Sequence, residues 1–263
     1  MKERIITAVV AILLFLPIVI FGGWIFKLLI YMIASIGLYE LLKMRKTTKY
    51  FIPSTTVFLL LWFLLFPYDE WSWLENFYLE KSEITLLAVL LLLAYTVLVK
   101  NRFTFEDVGF LILSAIYVGM GFYYLMETRE AGLIYIVYAF LVIWATDTGA
   151  YFFGRAIGKK KLWPKISPNK TVEGAIGGIV LACIVALILQ LIVPVRDSTV
   201  LVLLVTILVS GFGQIGDLVE SAFKRYYDVK DSGNLLPGHG GILDRFDSLI
   251  FIFPLLHFIQ FIS

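Results

Sequence analysis

Nine stretches of this 263-residue sequence are apolar over the length that a bilayer demands: 5–21, 24–40, 51–66, 84–99, 107–126, 131–153, 174–193, 199–216 and 248–262. A helix rises about 1.5 Å per residue, so about 20 residues cross a hydrocarbon layer of about 30 Å, and about 17 suffice where the bilayer adapts. The third, fourth and ninth stretches are short and rely on local thinning or snorkelling. Composition agrees: 60% of residues are hydrophobic and 16% charged, against about half and about a quarter in soluble domains. Only helices satisfy every backbone N–H and C=O inside one open span. The expected fold class is therefore an all-α integral membrane protein of about nine transmembrane helices. The first stretch is longer than the apolar core of a signal peptide and no small-residue cleavage site follows it, so it is expected to be retained as a span.

Charge gives these spans a direction. With the N-terminus in the cytoplasm, the cytoplasmic segments are 1–4, 41–50, 100–106, 154–173 and 217–247. They hold two, four, two, six and four basic residues, eighteen of the chain's 22. The opposite side holds Lys81, Arg129 and Arg196, and Lys27 lies inside the second span. Lys and Arg collect in cytoplasmic loops, so the sequence predicts a cytoplasmic N-terminus and a C-terminus on the other side. In the outer loop 67–83, Trp71, Trp73 and Phe77 suit a short helix in the interface. No repeat, Pro-rich linker or low-complexity tail divides the chain. It is expected to form one polytopic membrane domain, 1–263.

Several chemistries are excluded early. A net charge of +2 gives no footprint for nucleic acid. One cysteine, Cys183, permits no disulfide framework within the chain and no Cys-rich zinc site. Of the two histidines, His257 sits in the ninth apolar stretch, which argues against a His-rich metal site.

Nearly everything polar falls in two cytoplasmic segments. The first, "TDTGAYFFGRAIGKKKLWPKISPNKTVEGAIGG", runs from Thr146 to Gly178. Asp147 lies about seven residues inside the sixth span, about 10 Å deep. A carboxylate there is costly and points to function or to a buried partner such as Arg155 or a lysine of another segment. Lys159, Lys160 and Lys161 read first as topology determinants. In "SPNKTVEG", Ser167 suits a helix N-cap and Pro168 the first helical position. The free N–H groups of such a start attract an anion, and Lys170, beside Thr171, adds a full charge.

The second segment, "GFGQIGDLVESAFKRYYDVKDSGNLLPGHGGILDRFDS", runs from Gly211 to Ser248. On a helix Asp217 and Glu220 share a face and Glu220 reaches Lys224. Glycines around His239 let backbone N–H groups turn toward an anion. Asp244 and Asp247, three apart at the start of the last helix, point the same way. Carboxylates with phosphate oxygens suit Mg²⁺. The residues alone thus reach a cation and a polyphosphate at a membrane surface.

At these residues a family resemblance appears. "SAFKRYYDVKDSGNLLPGHGGILDRFD", Ser221 to Asp247, resembles the signature of the phosphatidate cytidylyltransferases, also called CDP-diacylglycerol synthases. The pattern S-x-x-K-R-x4-K-D followed by P-G-H-G-G-x-x-D-R-x-D is met throughout. "TDTGAYFFGR" and "SPNKTVEG" are similar to segments of the same family. The resemblance implies transfer of CMP from CTP to phosphatidic acid, with Mg²⁺, giving CDP-diacylglycerol and pyrophosphate. It implies that Asp217 and Asp244 hold Mg²⁺, and that Asp247 and Asp231 take a second cation or orient the ligands of the first. Lys170, Lys224, Arg225, Lys230 and Arg245 would divide between pyrophosphate and lipid phosphate. Ser167, Asn169, Thr171, Ser221, His239, Gly240 and Gly241 would line the substrates, and Asp147 would support the cavity. It further implies a homodimer in the cell membrane with the site facing the cytoplasm. Residues 1–130 would serve as a lipid or dimer scaffold, and 131–263 would carry catalysis. Two rivals stay open: a CTP-dependent lipid kinase of the polyprenol or phytol type, and an ion-coupled transporter using Asp147 and Lys27.

Overall fold

The computed structural model describes residues 13–67, 80–235, 238 and 240–262. Helix follows helix: α1 (13–21 of it described), α2 (Gly23–Met44), α3 (Phe51–Leu65), α4 (Lys81–Leu98), α5 (Phe105–Ala131), α6 (Leu133–Ile157), α7 (Val172–Ile192), α8 (Thr199–Tyr226) and α9 (Leu243–Phe258). Each apolar stretch of the sequence corresponds to one of them. Among the described residues, six of these helices (α2, α4, α5, α6, α7 and α8) are long and apolar enough to cross a membrane. The exterior is what lipid requires: Leu98 is 78% exposed, and Leu191 and Ile192 74% each. The chain is an all-α, multi-pass membrane protein with one small addition. Between α6 and α7, β1 (Lys161–Trp163) and β2 (Ser167–Thr171) pair as an antiparallel hairpin. The candidate anchors Trp71, Trp73 and Phe77 lie outside the described residues.

The chain packs as two compact units, Gly23–Tyr123 and Met1–Gly22 with Tyr124–Ser263. In the Gly23–Tyr123 unit, Arg45 donates to Asp107 at 2.8 Å, and the other oxygen of Asp107 accepts from the Thr104 N–H at 3.0 Å. One carboxylate thus caps the start of α5 and ties it to the end of α2. The indole of Trp62 on α3 donates to the Ser35 hydroxyl of α2 at 3.0 Å.

In the second unit, α6 and α7 approach closely because small residues face each other. A Cβ on Gly178 would stand 2.6 Å from the Thr146 carbonyl oxygen, and one on Gly149 would stand 2.9 Å from that of Gly177. With lipid as apolar as leucine, such close van der Waals packing and interhelical hydrogen bonds hold spans together. The bonds are present: Thr146 on α6 donates to the Ser210 hydroxyl of α8 at 2.8 Å, and Tyr138 and Thr206 share a bond of 2.8 Å. Near the chain's end, Arg196 donates to the Phe261 carbonyl and Gln190 accepts from the Val195 N–H. His257, the apolar-stretch histidine, packs against Tyr124 and bonds Thr128 at 3.0 Å.

The structure corrects one local expectation. Residues 167–171 do not begin a helix at Ser167 and Pro168; they form β2, and α7 starts four residues later with Thr171 as its cap. The Thr171 hydroxyl accepts from the Gly174 N–H at 3.1 Å, and the Val172 N–H is taken by the Lys160 carbonyl. Pairing with β1 holds 167–171 extended, so the second of two capping residues in the motif is used. Two N–H groups of the helix start are therefore committed within the chain.

Candidate active site

The site is built from α6, the β1–β2 hairpin, the start of α7, α8 and α9. Helix α8 continues to Tyr226, ten residues beyond the apolar stretch that ends at 216. Asp217, Glu220, Ser221 and Lys224 recur at helical spacing and so share one face. Asp217 is partly exposed at the edge of a cavity of about 490 Å³. The cavity is lined by Asp147 and Tyr151 of α6, Asn169 and Lys170 of β2, and Gln214 and Asp217 of α8, among others. Thr171 closes it at the start of α7.

The polar contacts join residues far apart in sequence. The Lys170 ammonium lies 2.5 Å from one Asp217 oxygen. The other accepts weakly from the Ser221 hydroxyl at 3.4 Å. Asp147 stands in the field of Asp217, Lys170 and Arg245. Asp247 stands in that of Asp217, Asp147 and Lys224. Asp147 thus shares the field of the cluster, while Arg155 donates to the Tyr151 hydroxyl.

Asp244 is the most completely bonded member. One oxygen takes the Lys224 ammonium at 2.6 Å. The other accepts from the Ser232 N–H at 2.8 Å, the Ser232 hydroxyl at 2.9 Å and the Gly241 N–H at 2.8 Å. Burial pushes this carboxyl upward, but the Lys224 ammonium and the N–H groups of Gly241 and Ser232 outweigh it and hold it below the ordinary aspartate value. Gly240 has φ +82°, and a Cβ there would collide with Asp244. Only glycine lets the backbone pass so near a carboxylate whose position is fixed by its donors.

Other expected residues stand apart from the cavity. Arg225 is exposed and donates to the Ile166 carbonyl at 3.3 Å, bracing the hairpin. Lys230 and Asp231 are exposed, with the Asp231 Cβ close to Gly240. Ser167 opens β2 and does not line the cavity. The Lys159 and Lys160 N–H groups are both taken by Glu173. His239 lies outside the described residues.

Beyond Tyr151 on the cavity wall and Ser232 on Asp244, two further residues join the site that the sequence does not single out for it. Gln214 lines the cavity and donates to the Ala175 carbonyl at 3.2 Å. Its signal was a polar amide one helical turn before Asp217 in an otherwise apolar run. Glu220, 2% exposed, accepts from Lys224 at 2.7 Å. Its second oxygen has no hydrogen-bond partner among the described residues.

The donor set can be tested against a divalent cation. Among the described residues, no three His, Cys, Asp or Glu side chains converge as a ready-made metal site. Mg²⁺ seldom needs such a cage; it takes one or two carboxylates and fills its octahedron with phosphate oxygens and water. Asp217, whose oxygen already holds a positive group in Lys170, fits that habit; Asp247 lies in its field, with one oxygen accepting from the Ser248 N–H at 2.6 Å. For Asp244 to ligate, Lys224 or a backbone donor would have to give way.

Comparison with known proteins gives one consistent result. A model of the cytidylyltransferase family matches residues 2–263. The chain is 56% identical over 262 residues to the phosphatidate cytidylyltransferase of Bacillus subtilis (strain 168), covering 98% of this chain and 97% of that one. It is 52% identical over 257 residues to the enzyme so named from Staphylococcus saprophyticus, covering 98% of each. The Staphylococcus epidermidis counterpart is likewise 52% identical, over 258 residues.

Proposed function

This chain belongs to the cytidylyltransferase family, and on that premise we propose that its cavity performs the reaction named for its relatives. It is a nucleotidyltransferase of phospholipid synthesis that moves the CMP part of CTP onto phosphatidic acid and releases pyrophosphate. The observation that carries the reading is the meeting of Lys170 and Asp217 at the edge of a cavity between membrane helices. A cation-binding carboxylate and a phosphate-binding ammonium there share one opening.

A lipid phosphate oxygen forms a bond to the α-phosphorus of CTP, and the bond from that phosphorus to the β-phosphate oxygen breaks. A phosphate monoester has its second pKa near 6 and is largely dianionic at neutral pH, so the nucleophile needs no strong base. The barrier is the crowding of negative charge, which positioning and electrostatic neutralisation relieve. Mg²⁺, when bound, supplies positive charge to the phosphoryl oxygens. Asp217 and Asp247 would hold it, with Asp244 beside them as a third candidate. Lys170 neutralises phosphate, aided by Arg245 from the side of Asp147. Asn169, Thr171 and Gln214 offer the cavity its uncharged hydrogen-bonding groups.

In the membrane we place the N-terminus and this site in the cytoplasm, with all nine helices inserted and the C-terminus outside. The distribution of basic residues supports that placement. Phosphatidic acid then enters sideways from the inner leaflet. Residues 1–130 serve as scaffold, and the working form is a homodimer.

The test is isotopic. With purified protein, phosphatidic acid and Mg²⁺, label in the α-phosphate of CTP is expected in the lipid, together with release of unlabelled pyrophosphate. Transfer of the γ-label instead would identify a lipid kinase. Solute flux into proteoliposomes without nucleotide would identify a transporter.

A further inference from the structure

Glu220 is an expensive residue to keep. It is 2% exposed, and only one of its oxygens is bonded among the described residues. A buried carboxylate oxygen without a donor is a loss that core packing alone would remove by substitution. The other oxygen shows what the residue does. It accepts from Lys224 at 2.7 Å, one helical turn along α8, while the same ammonium donates to Asp244 at 2.6 Å. The far oxygen of Asp244 gathers the Ser232 N–H, the Ser232 hydroxyl and the Gly241 N–H. A single chain of contacts therefore runs from α8 through one ammonium to one carboxylate, and from there to both Ser232 and Gly241.

A lysine side chain has four rotatable carbons, and one ion pair leaves its ammonium free to swing about that partner. Two carboxylates on different elements fix it. Lys224 is thereby occupied on two sides before any phosphate arrives, which makes it a strut rather than a loose phosphate ligand. We infer that Glu220 is a positioning residue: it holds the Lys224 ammonium against Asp244, so fixes the backbone at Ser232 and Gly241, and through that backbone supports binding of the nucleotide. The nucleotide part of this inference rests on the function proposed above; the positioning of the backbone does not.

The experiment is Glu220→Gln in detergent-solubilised full-length protein, with Glu220→Asp as the conservative partner. Gln keeps the size and removes the charge, so that Lys224 keeps one charged partner, Asp244, and a neutral amide oxygen in place of the other. Hydrogen exchange at the Ser232 and Gly241 amides should quicken by about tenfold, with Glu220→Asp between wild type and Gln. The KM for CTP should rise by about tenfold while kcat stays within about threefold, because binding and not chemistry loses its support. Ser232→Ala, which leaves α8 untouched, should give the same split. Combined with Glu220→Gln it should add less than the sum of the two, since both act through Asp244. Unchanged exchange at both amides would overturn the inference, as would full additivity. So would a shift in Mg²⁺ half-saturation without faster exchange, which would make Glu220 a cation ligand. If the amides respond as expected but no variant, wild type included, moves CMP, the functional reading fails and the positioning role stands. Should Glu220→Gln not fold, Glu220→Asp carries the exchange test alone, and wild-type exchange there would overturn the inference.

Discussion

Asp217 and Asp244 carry the same charge and stand on neighbouring helices, yet their surroundings give them different work. Asp217 is partly exposed to the cavity and holds the movable end of a lysine side chain. Asp244 is bound by an ammonium, two backbone N–H groups and a hydroxyl. Both Asp217→Asn and Asp244→Asn should abolish CMP transfer, by about 100-fold or more for an electrostatic group at the reacting phosphates. Both should still insert in the membrane. Thermal unfolding should separate them: Asp217→Asn keeps the wild-type midpoint, whereas Asp244→Asn lowers it, because a neutral amide leaves Lys224 half-paired. Equal midpoints would mean that the Asp244 network contributes no stability. Much of this was legible in the sequence. The spacing of Asp217, Glu220 and Lys224 predicts one helical face, and the Lys224–Glu220 pair is found there. The Lys170–Asp217 contact was not legible, because no periodicity links a strand to a helix that lies beyond another entire span. Nor were the donors of Asp244, which depend on the path of the backbone from Ser232 to Gly241.

Among the elements, the α6–α7 pair matters most to the site, since Asp147 stands on one helix and Thr171 caps the other. Their approach tolerates no side chain at Gly178, whose Cβ would meet the Thr146 carbonyl oxygen at 2.6 Å. Gly178→Leu should therefore force the helices apart and widen the cavity. The expected outcome is loss of transfer together with a lower unfolding midpoint in detergent; a variant with normal activity would show that the seam is free to open. Sequence located these helices well and their ends poorly. Apolar length marks where the hydrocarbon ends, but helix α8 continues to Tyr226 because polar residues at helical spacing find partners on α9 and the hairpin. The hairpin is hidden in the sequence because Ser167 and Thr171 are both good caps. The choice between them is made by pairing of 167–171 with β1, a contact that capping preference does not encode.

At the scale of the whole molecule, the strongest sequence signal is the placement of eighteen of 22 basic residues in alternate segments between the spans, which puts all eighteen on one side. It predicts the face to which each loop belongs. After replacement of Cys183, a cysteine at Lys160 should react with an impermeant maleimide only from the cytoplasmic side, and one at Asp197 only from outside. Labelling of both from the same side would remove a span between them and reverse the assignment of every later loop. The division into two compact units was not legible, because the break falls within the continuous helix α5 and no linker composition announces it. The lysine seated on Asp217 is a resident understudy for a metal: it sets a positive charge on the carboxylate oxygen where a cation would otherwise sit. On the function proposed above, a cation arriving at that oxygen would displace the understudy toward the entering triphosphate, and occupancy by the metal and readiness for the nucleotide would become a single event.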